Sequence, residues 1–250
     1  MRLTLQVWRQ DGADAPGRFE THVVDELVPQ MSLLDLLDRL NEWLADSGGD
    51  PISVESDCRE GICGACGLTV DGRPHGPEAN VPTCHQRLAS FADGATVRLE
   101  PFRSAAFPVV RDLVTDRSAL DRLIAAGGHV GVDAGTAPDS DSVPVAHAQA
   151  EAALDFAACI GCGACVAACP NGAAHLFAGA KLTHLALLPQ PALERGRRAR
   201  SVVSQLESDF GPCSFYGECA QVCPAQIPLT AVAAVGKERL WAGFHPSRRG

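Results

Sequence analysis

Leu3, Leu5 and Val7 alternate with Thr4 and Gln6, the period of two that a strand shows when one face is buried. After a stretch rich in Gly, Asp and Pro, residues 19–24 read as a second strand, and the two segments are expected to pair as a hairpin. The period then changes. Ser32 and Asp35 stand at capping-box spacing, with Asp in the place usually held by Glu or Gln, and Leu33, Leu36, Leu37, Leu40 and Leu44 recur at helical intervals. Gly48, Gly49 and Pro51 end that helix. Short apolar runs at 52–55, 68–70 and 96–100 are further strand candidates around a cysteine-rich loop. Strands with one packed helix predict an α+β unit over residues 1–103, for which a β-grasp layout is reasonable.

Past Phe102 the pattern turns helical. Asp116 is placed to cap a helix running to residue 126, where Gly127 and Gly128 stop it. Residues 131–146 are dense in Gly, Asp, Ser, Ala and Pro and read as a long surface loop. Residues 147–158 read as a helix leading into Cys159; 191–208 and 228–241 read as two more, with Pro228 suited to a first turn. An all-α unit over 104–250 follows.

A chain of 250 residues can bury two such cores. Its net charge of -9 argues against a nucleic-acid partner. The N-terminal segment has no apolar core of the signal-peptide kind, and no stretch approaches the roughly 20 apolar residues of a membrane span. A reducing compartment is therefore expected, with membrane contact only through a partner. Eleven cysteines are many for this length, and an odd count does not suit a purely disulfide-bonded protein.

Cys58, Cys63 and Cys66, with Cys84 further on, have the C-x4-C-x2-C…C spacing of plant-type [2Fe–2S] proteins. Gly61, Gly64 and Gly67 allow the backbone of such a loop to curl and aim N–H groups at sulfur. A four-cysteine zinc site is the alternative, although zinc more often takes paired C-x2-C knuckles. His85, beside Cys84, reads as a loop histidine, because four thiolates are already at hand. Residues 72–82, before Cys84, read as a surface insertion.

Cys159, Cys162, Cys165 and Cys169, followed by Pro170, form a complete C-x2-C-x2-C-x3-C-P run. Cys213, Cys219 and Cys223, followed by Pro224, form a second run whose second position is Tyr216. In two-cluster ferredoxins the fourth cysteine of each run ligates the other run's cluster. That rule groups Cys159, Cys162, Cys165 and Cys223 around a [4Fe–4S] cluster. Cys169, Cys213 and Cys219 remain for a [3Fe–4S] cluster whose open corner faces Tyr216; a [4Fe–4S] cluster with a non-cysteine ligand there is the alternative. The three sets use all eleven cysteines. No Gly-rich dinucleotide fingerprint and no P-loop is present. Unlike clusters in one chain suggest an electron wire rather than a chemical active site.

These residues resemble the iron–sulfur subunits of succinate dehydrogenase and fumarate reductase. The likeness spans nearly the whole chain: 58–67, the segment from Phe107 to Asp116, and both later cysteine runs in order. It implies a β-grasp domain followed by an α-helical ferredoxin domain. It also implies an FAD-containing flavoprotein partner where succinate is oxidised or fumarate reduced, and a membrane-anchor partner that binds quinone. The chain would then be a peripheral subunit on the cytoplasmic face of a bacterial inner membrane, relaying electrons without a succinate site of its own. A free ferredoxin-type carrier is the alternative of a different class.

Two departures from the family stand out. Tryptophans usually follow the Cys-Pro of the complete run, where this chain has 171–175 as Asn-Gly-Ala-Ala-His, and His often follows the first cysteine of the second run, where Ser214 stands. Pro170, His175 and Ser214 are the candidate quinone neighbourhood. Arg195, Arg197, Arg198 and Arg200 form the one basic run and read as a solvated helix face, with contact to an anchor subunit or lipid headgroups as the alternative.

Overall fold

The computed structural model describes residues 1–129 and 145–244. Strands β1 (Leu3–Arg9), β2 (Arg18–Val24), β3 (Thr69–Val70), β4 (Arg73–Pro74) and β5 (Thr96–Glu100) make one mixed sheet in the order β2-β1-β5-β3-β4. β1 runs parallel to β5, and the remaining pairs are antiparallel. Helix α1 (Leu33–Asp46) lies against this sheet through Leu33, Leu34, Leu36, Leu37, Leu40 and Leu44. Each fully buried leucine contributes about 2 kcal/mol of transfer free energy. The capping box forms as the spacing predicts: Asp35 N–H donates to Ser32 Oγ at 3.1 Å, and Ser32 N–H donates to the Asp35 carboxylate at 2.8 Å.

Two expected details of this unit differ. Residues 52–55 form no strand, because the Asn41 amide takes the ladder's place. Ile52 N–H donates to Asn41 Oδ1 at 2.7 Å, and Asn41 Nδ2 donates to Ile52 O at 2.9 Å. Nor is 72–82 wholly a surface insertion. Arg73 and Pro74 form β4, and Pro74, His75 and Gly76 are buried.

A hairpin, β6 (Val109–Arg111) and β7 (Val114–Thr115), leads into the helical half. There α2 (Ser118–Ala125), α3 (His147–Ala157), α5 (His175–Leu187), α6 (Ala192–Asp209) and α8 (Thr230–Phe244) pack around a second core, with the one-turn helices α4 (Ala164–Ala167) and α7 (Glu218–Gln221) between them. Phe102 and Phe107 belong to this second core, whereas Leu113 belongs to the first, so the crossing segment is anchored on both sides. Asp116 accepts from Ser118 N–H at 2.8 Å and so caps α2 from just outside it. The surface loop expected over 131–146 lies almost wholly outside the described residues. Pro228 stands ahead of α8 rather than in its first turn, its carbonyl accepting from Ala231 N–H at 3.0 Å.

Helix α5 was not expected from the pattern. It buries residues from Leu176 to Ala180 together with Leu182 and Leu185, and Lys181, Thr183 and His184 make too narrow a polar strip to mark a helical period. It is the centre of the helical half, touching α3, α6 and α8. The basic run on α6 is not a solvated face. Arg198 is buried, donating to Gly127 O at 2.9 Å and to Gln190, and Arg195 pairs with Glu238 at 2.6 Å. Arg200 donates to Ala242 O at 3.0 Å, and Arg197 is the most exposed of the four.

Asp112 fastens the hairpin to the sheet. It is 1% exposed, lies 3.2 Å from Arg9 Nε, and accepts from Gln10 N–H at 3.0 Å and Ser53 N–H at 2.9 Å. Removing it leaves the Gln10 and Ser53 N–H groups without their acceptor and takes one carboxylate from Arg9, which keeps Asp50 at 2.8 Å. Asp112→Ala is therefore expected to destabilise the sheet unit by about 2 kcal/mol, read as a lower urea midpoint at unchanged slope. A midpoint equal to wild type would show that the Gln10 and Ser53 N–H groups do not depend on Asp112.

Candidate iron–sulfur centres

The first cysteine loop, 58–67, leaves the sheet unit and returns at β3. Gly61 and Gly64 take positive φ, at 75° and 74°. Gly67 does not, and is needed for a different reason: a Cβ there would lie 2.4 Å from the Phe102 ring. The loop turns N–H groups toward sulfur, with Glu60 N–H 3.3 Å from Cys58 Sγ and Ala65 N–H 3.4 Å from Cys63 Sγ. The N–H of Glu60, helped by that of Ile62 and by the Cys63 thiol, lowers the Cys58 thiol to about 7. Cys66, hydrogen-bonded to Cys84, is pushed up to about 12 by burial. The four sulfurs therefore form one group, open at Cys63 and closed at Cys66 and Cys84.

The two later runs fold as a repeat. In each, a glycine in the left-handed region (Gly163 at φ 86°, Gly217 at 92°) starts a one-turn helix that carries the cysteine at the run's third position, Cys165 or Cys219. Tyr216 occupies in the second run the place of Cys162 in the first. α4 and α7 pack on each other, and this contact interleaves the runs.

Cys159, Cys162, Cys165 and Cys223 line one hollow of ≈ 340 Å³, counting its mouth. Burial pushes Cys162 up to about 12, Cys165 well above the ordinary thiol range, and Cys159 upward as well. Cys169, Cys213 and Cys219 line a second hollow of ≈ 420 Å³, shared with Tyr216, Ser214, His175 and Glu218. Phe215 N–H lies 3.4 Å from Cys213 Sγ. Pro170 does not border this hollow; it lines another with Arg103 and Asn171. Burial lowers the His175 pKa, Glu207 opposing it, and His175 Nδ1 is buried without a hydrogen-bond partner among the described residues.

These donors fit iron–sulfur clusters. The sulfurs ring hollows, backbone N–H groups face them, and buried neutral thiols are the kind that give up protons when metal arrives.

Several residues that hold the centres carry no signal in the spacing. Asn171 clamps the second run, donating to Pro212 O at 2.9 Å and Ser214 Oγ at 2.8 Å. Arg117 spans the first two centres, reaching Gly64 O at 2.6 Å, Ala65 O at 3.1 Å and Cys162 O at 2.9 Å. Its partners are backbone carbonyls distant in sequence. His75 supports Cys84 from behind: its Nδ1 lies 3.1 Å from Thr83 Oγ1 and 3.3 Å from Thr83 N.

A 2Fe-2S iron-sulfur cluster binding domain family matches residues 4–122, and a 4Fe-4S dicluster domain family matches 158–227. The chain is 32% identical over 217 residues to a fumarate reductase iron-sulfur subunit of Escherichia coli O6:H1, covering 84% of this chain and 82% of that one. The chain belongs to the family of iron–sulfur subunits of succinate dehydrogenase and fumarate reductase. The Bacillus subtilis succinate dehydrogenase iron-sulfur subunit is 27% identical, over 93% of this chain and 90% of that one. The fold also matches a chain of the Mycobacterium smegmatis Sdh1 complex in the apo form, at TM-score 0.69 and 24% identity over 99% of both chains. As a member of this family the chain is an electron-transfer subunit of an oxidoreductase complex, a β-grasp [2Fe–2S] unit followed by a helical 4Fe-4S unit. Among the described residues, no helix is long and apolar enough to cross a membrane.

His75 gives the first centre a pH dependence. Burial, and behind it the charge of Arg117, hold the imidazole down to about 4. Unfolded, the ring binds its proton near pH 6.5. Stability is thus complete above pH 6.5 and is lost as pH falls through the interval to about 4, by about 3 kcal/mol at the lower end. His75→Asn is expected to flatten this part of the stability curve in melts taken at stepped pH. A variant whose curve keeps the wild-type slope would place the titration elsewhere.

Proposed function

We propose that the chain is the iron–sulfur subunit of a succinate dehydrogenase and holds three unlike clusters in series. In this reading Cys58, Cys63, Cys66 and Cys84 hold a [2Fe–2S] cluster, and Cys159, Cys162, Cys165 and Cys223 a [4Fe–4S] cluster. Cys169, Cys213 and Cys219 hold a [3Fe–4S] cluster with Tyr216 at its open corner. The two units divide near residue 103. The clusters supply one-electron transfer, connecting the FAD of a flavoprotein partner with quinone at a membrane-anchor partner. The complex sits on the cytoplasmic face of the membrane.

One observation carries the reading: the two hollows are lined by interleaved cysteines, four in one and three in the other, with Tyr216 in the three-cysteine hollow. The roles of the chain's own residues follow from their surroundings. Glu60, Ala65 and Phe215 present N–H groups to ligand sulfurs, which stabilises added negative charge. Gly64 lets the first loop lie flush on the second, since a Cβ there would stand 2.4 Å from Ile160 O. Tyr216 and Phe215 are 60% and 72% exposed, so the third centre opens to the surface where an acceptor's site can form. His175 and Ser214 border that opening and are the residues proposed to face quinone, with Pro170 in the separate hollow beside Asn171.

Succinate oxidation is the proposed direction, supported by alignment with the B. subtilis subunit over a larger share of both chains. The higher identity to the E. coli subunit favours fumarate reduction. Assays of the complex in both directions, with matched quinone and quinol, decide between them.

Tyr216→Cys tests the cluster order. It is expected to convert the three-iron cluster to [4Fe–4S], abolishing its signal in the oxidised protein, lowering its potential and slowing quinone reduction. An unchanged oxidised-state spectrum would show that Tyr216 does not stand at an open corner.

A further inference from the structure

Arg117 is placed between two cysteine loops that come from different halves of the chain. Its side chain is 19% exposed. Nη1 donates to Gly64 O at 2.6 Å and Cys162 O at 2.9 Å, and Nη2 donates to Ala65 O at 3.1 Å and to Glu55 at 2.9 Å. Gly64 and Ala65 lie between Cys63 and Cys66, and Cys162 is itself one of the cysteines of the second hollow. One guanidinium therefore binds the backbone immediately beside both centres.

This geometry requires arginine. Three carbonyl oxygens from two loops converge on one spot, where their negative ends would repel each other if left unpaired. A planar fork with five donors satisfies them together, whereas an ammonium acts as a point charge. The loops leave no room for an alternative spacer. Ile160 O stands 2.4 Å from where a Gly64 Cβ would be, and Cys162 N stands 3.0 Å from it. The neutralising partner, Glu55, is 46% exposed, so water screens it more than it screens the guanidinium.

We infer that Arg117 is a positioning residue that locks the first cysteine loop onto the second and raises the reduction potentials of the clusters on both sides. The inference rests on the cluster assignment proposed above. An electron arriving at either cluster makes it one unit more negative, with no bond made or broken at the protein. A fixed cation beside it favours that reduced state, since local charge and hydrogen bonding set cluster potentials. Because it serves both centres, Arg117 shifts them together and leaves the driving force between them little changed.

The test is an EPR-monitored redox titration of the cluster-loaded complex. In Arg117→Gln both the [2Fe–2S] and the [4Fe–4S] midpoints are expected to move to lower potential. The third cluster should keep its midpoint, because no hydrogen bond of Arg117 reaches Cys169, Cys213 or Cys219 or the backbone next to them. Arg117→Lys, which keeps the charge and loses the fork, is expected to retain most of the wild-type potential. Glu55→Gln should move the same two midpoints upward, and it decides the matter alone if Arg117→Gln fails to load its clusters. Unchanged midpoints in a loaded Arg117→Gln, an equal fall at all three clusters, or no upward shift in Glu55→Gln would overturn the inference. A wild-type complex without [2Fe–2S] and [4Fe–4S] signals would overturn the cluster assignment first, and this inference with it.

Discussion

The burial of cysteine sulfur from two distant runs at one place is the constraint on which the helical half depends. A thiol taken out of water favours its protonated form, and burial raises the pKa values of Cys162 and Cys165 in this way. Iron binds thiolate, and its positive charge inverts that preference. Cluster binding and folding are therefore coupled in the helical unit. The local architecture serves this end. Gly163 and Gly217 start equivalent one-turn helices, α4 and α7 meet, and each hollow receives cysteines from both runs. Helix α5 backs both hollows: Leu176 lines the two of them, His175 one and Phe177 the other.

Exposure is distributed in keeping with a relay. Cys63 and Ile62 are exposed at one end, and Phe215 and Tyr216 at the other. Between them Cys162, Cys165 and Cys223 are buried. Two surface-reaching centres flank an enclosed one, and the close contact of Gly64 with the 160–162 backbone joins the first to the second. A free carrier needs one exposed centre; a subunit placed between two partners needs an exposed centre facing each.

Local chemistry was legible in the sequence, and contacts between distant backbones were not. The α1 capping box could be read because its donors and acceptors lie three residues apart, and the cysteine runs because cluster ligation fixes short spacings. Helix α5 escaped because it is apolar over most of its surface, and its few polar residues mark no period. The basic run on α6 misled for a related reason. Four arginines in six residues suggest a solvated face, yet Glu238 on α8 and the Gly127 carbonyl draw two of them inward. The segment before Cys84 looked like an insertion because neither the pairing of β4 with β3 nor the burial of His75 has a local signature. Arg117 had none either, since its role exists only once 64–65 and Cys162 are side by side.

That sets of four, four and three cysteines hold a [2Fe–2S], a [4Fe–4S] and a [3Fe–4S] cluster is the central claim, and iron content with oxidised-state EPR tests it most directly. Protein isolated in air is predicted to hold about nine irons per chain and to show a [3Fe–4S] signal, with a [2Fe–2S] signal on mild reduction. About ten irons with no oxidised-state signal, or a colourless protein containing zinc, would contradict it.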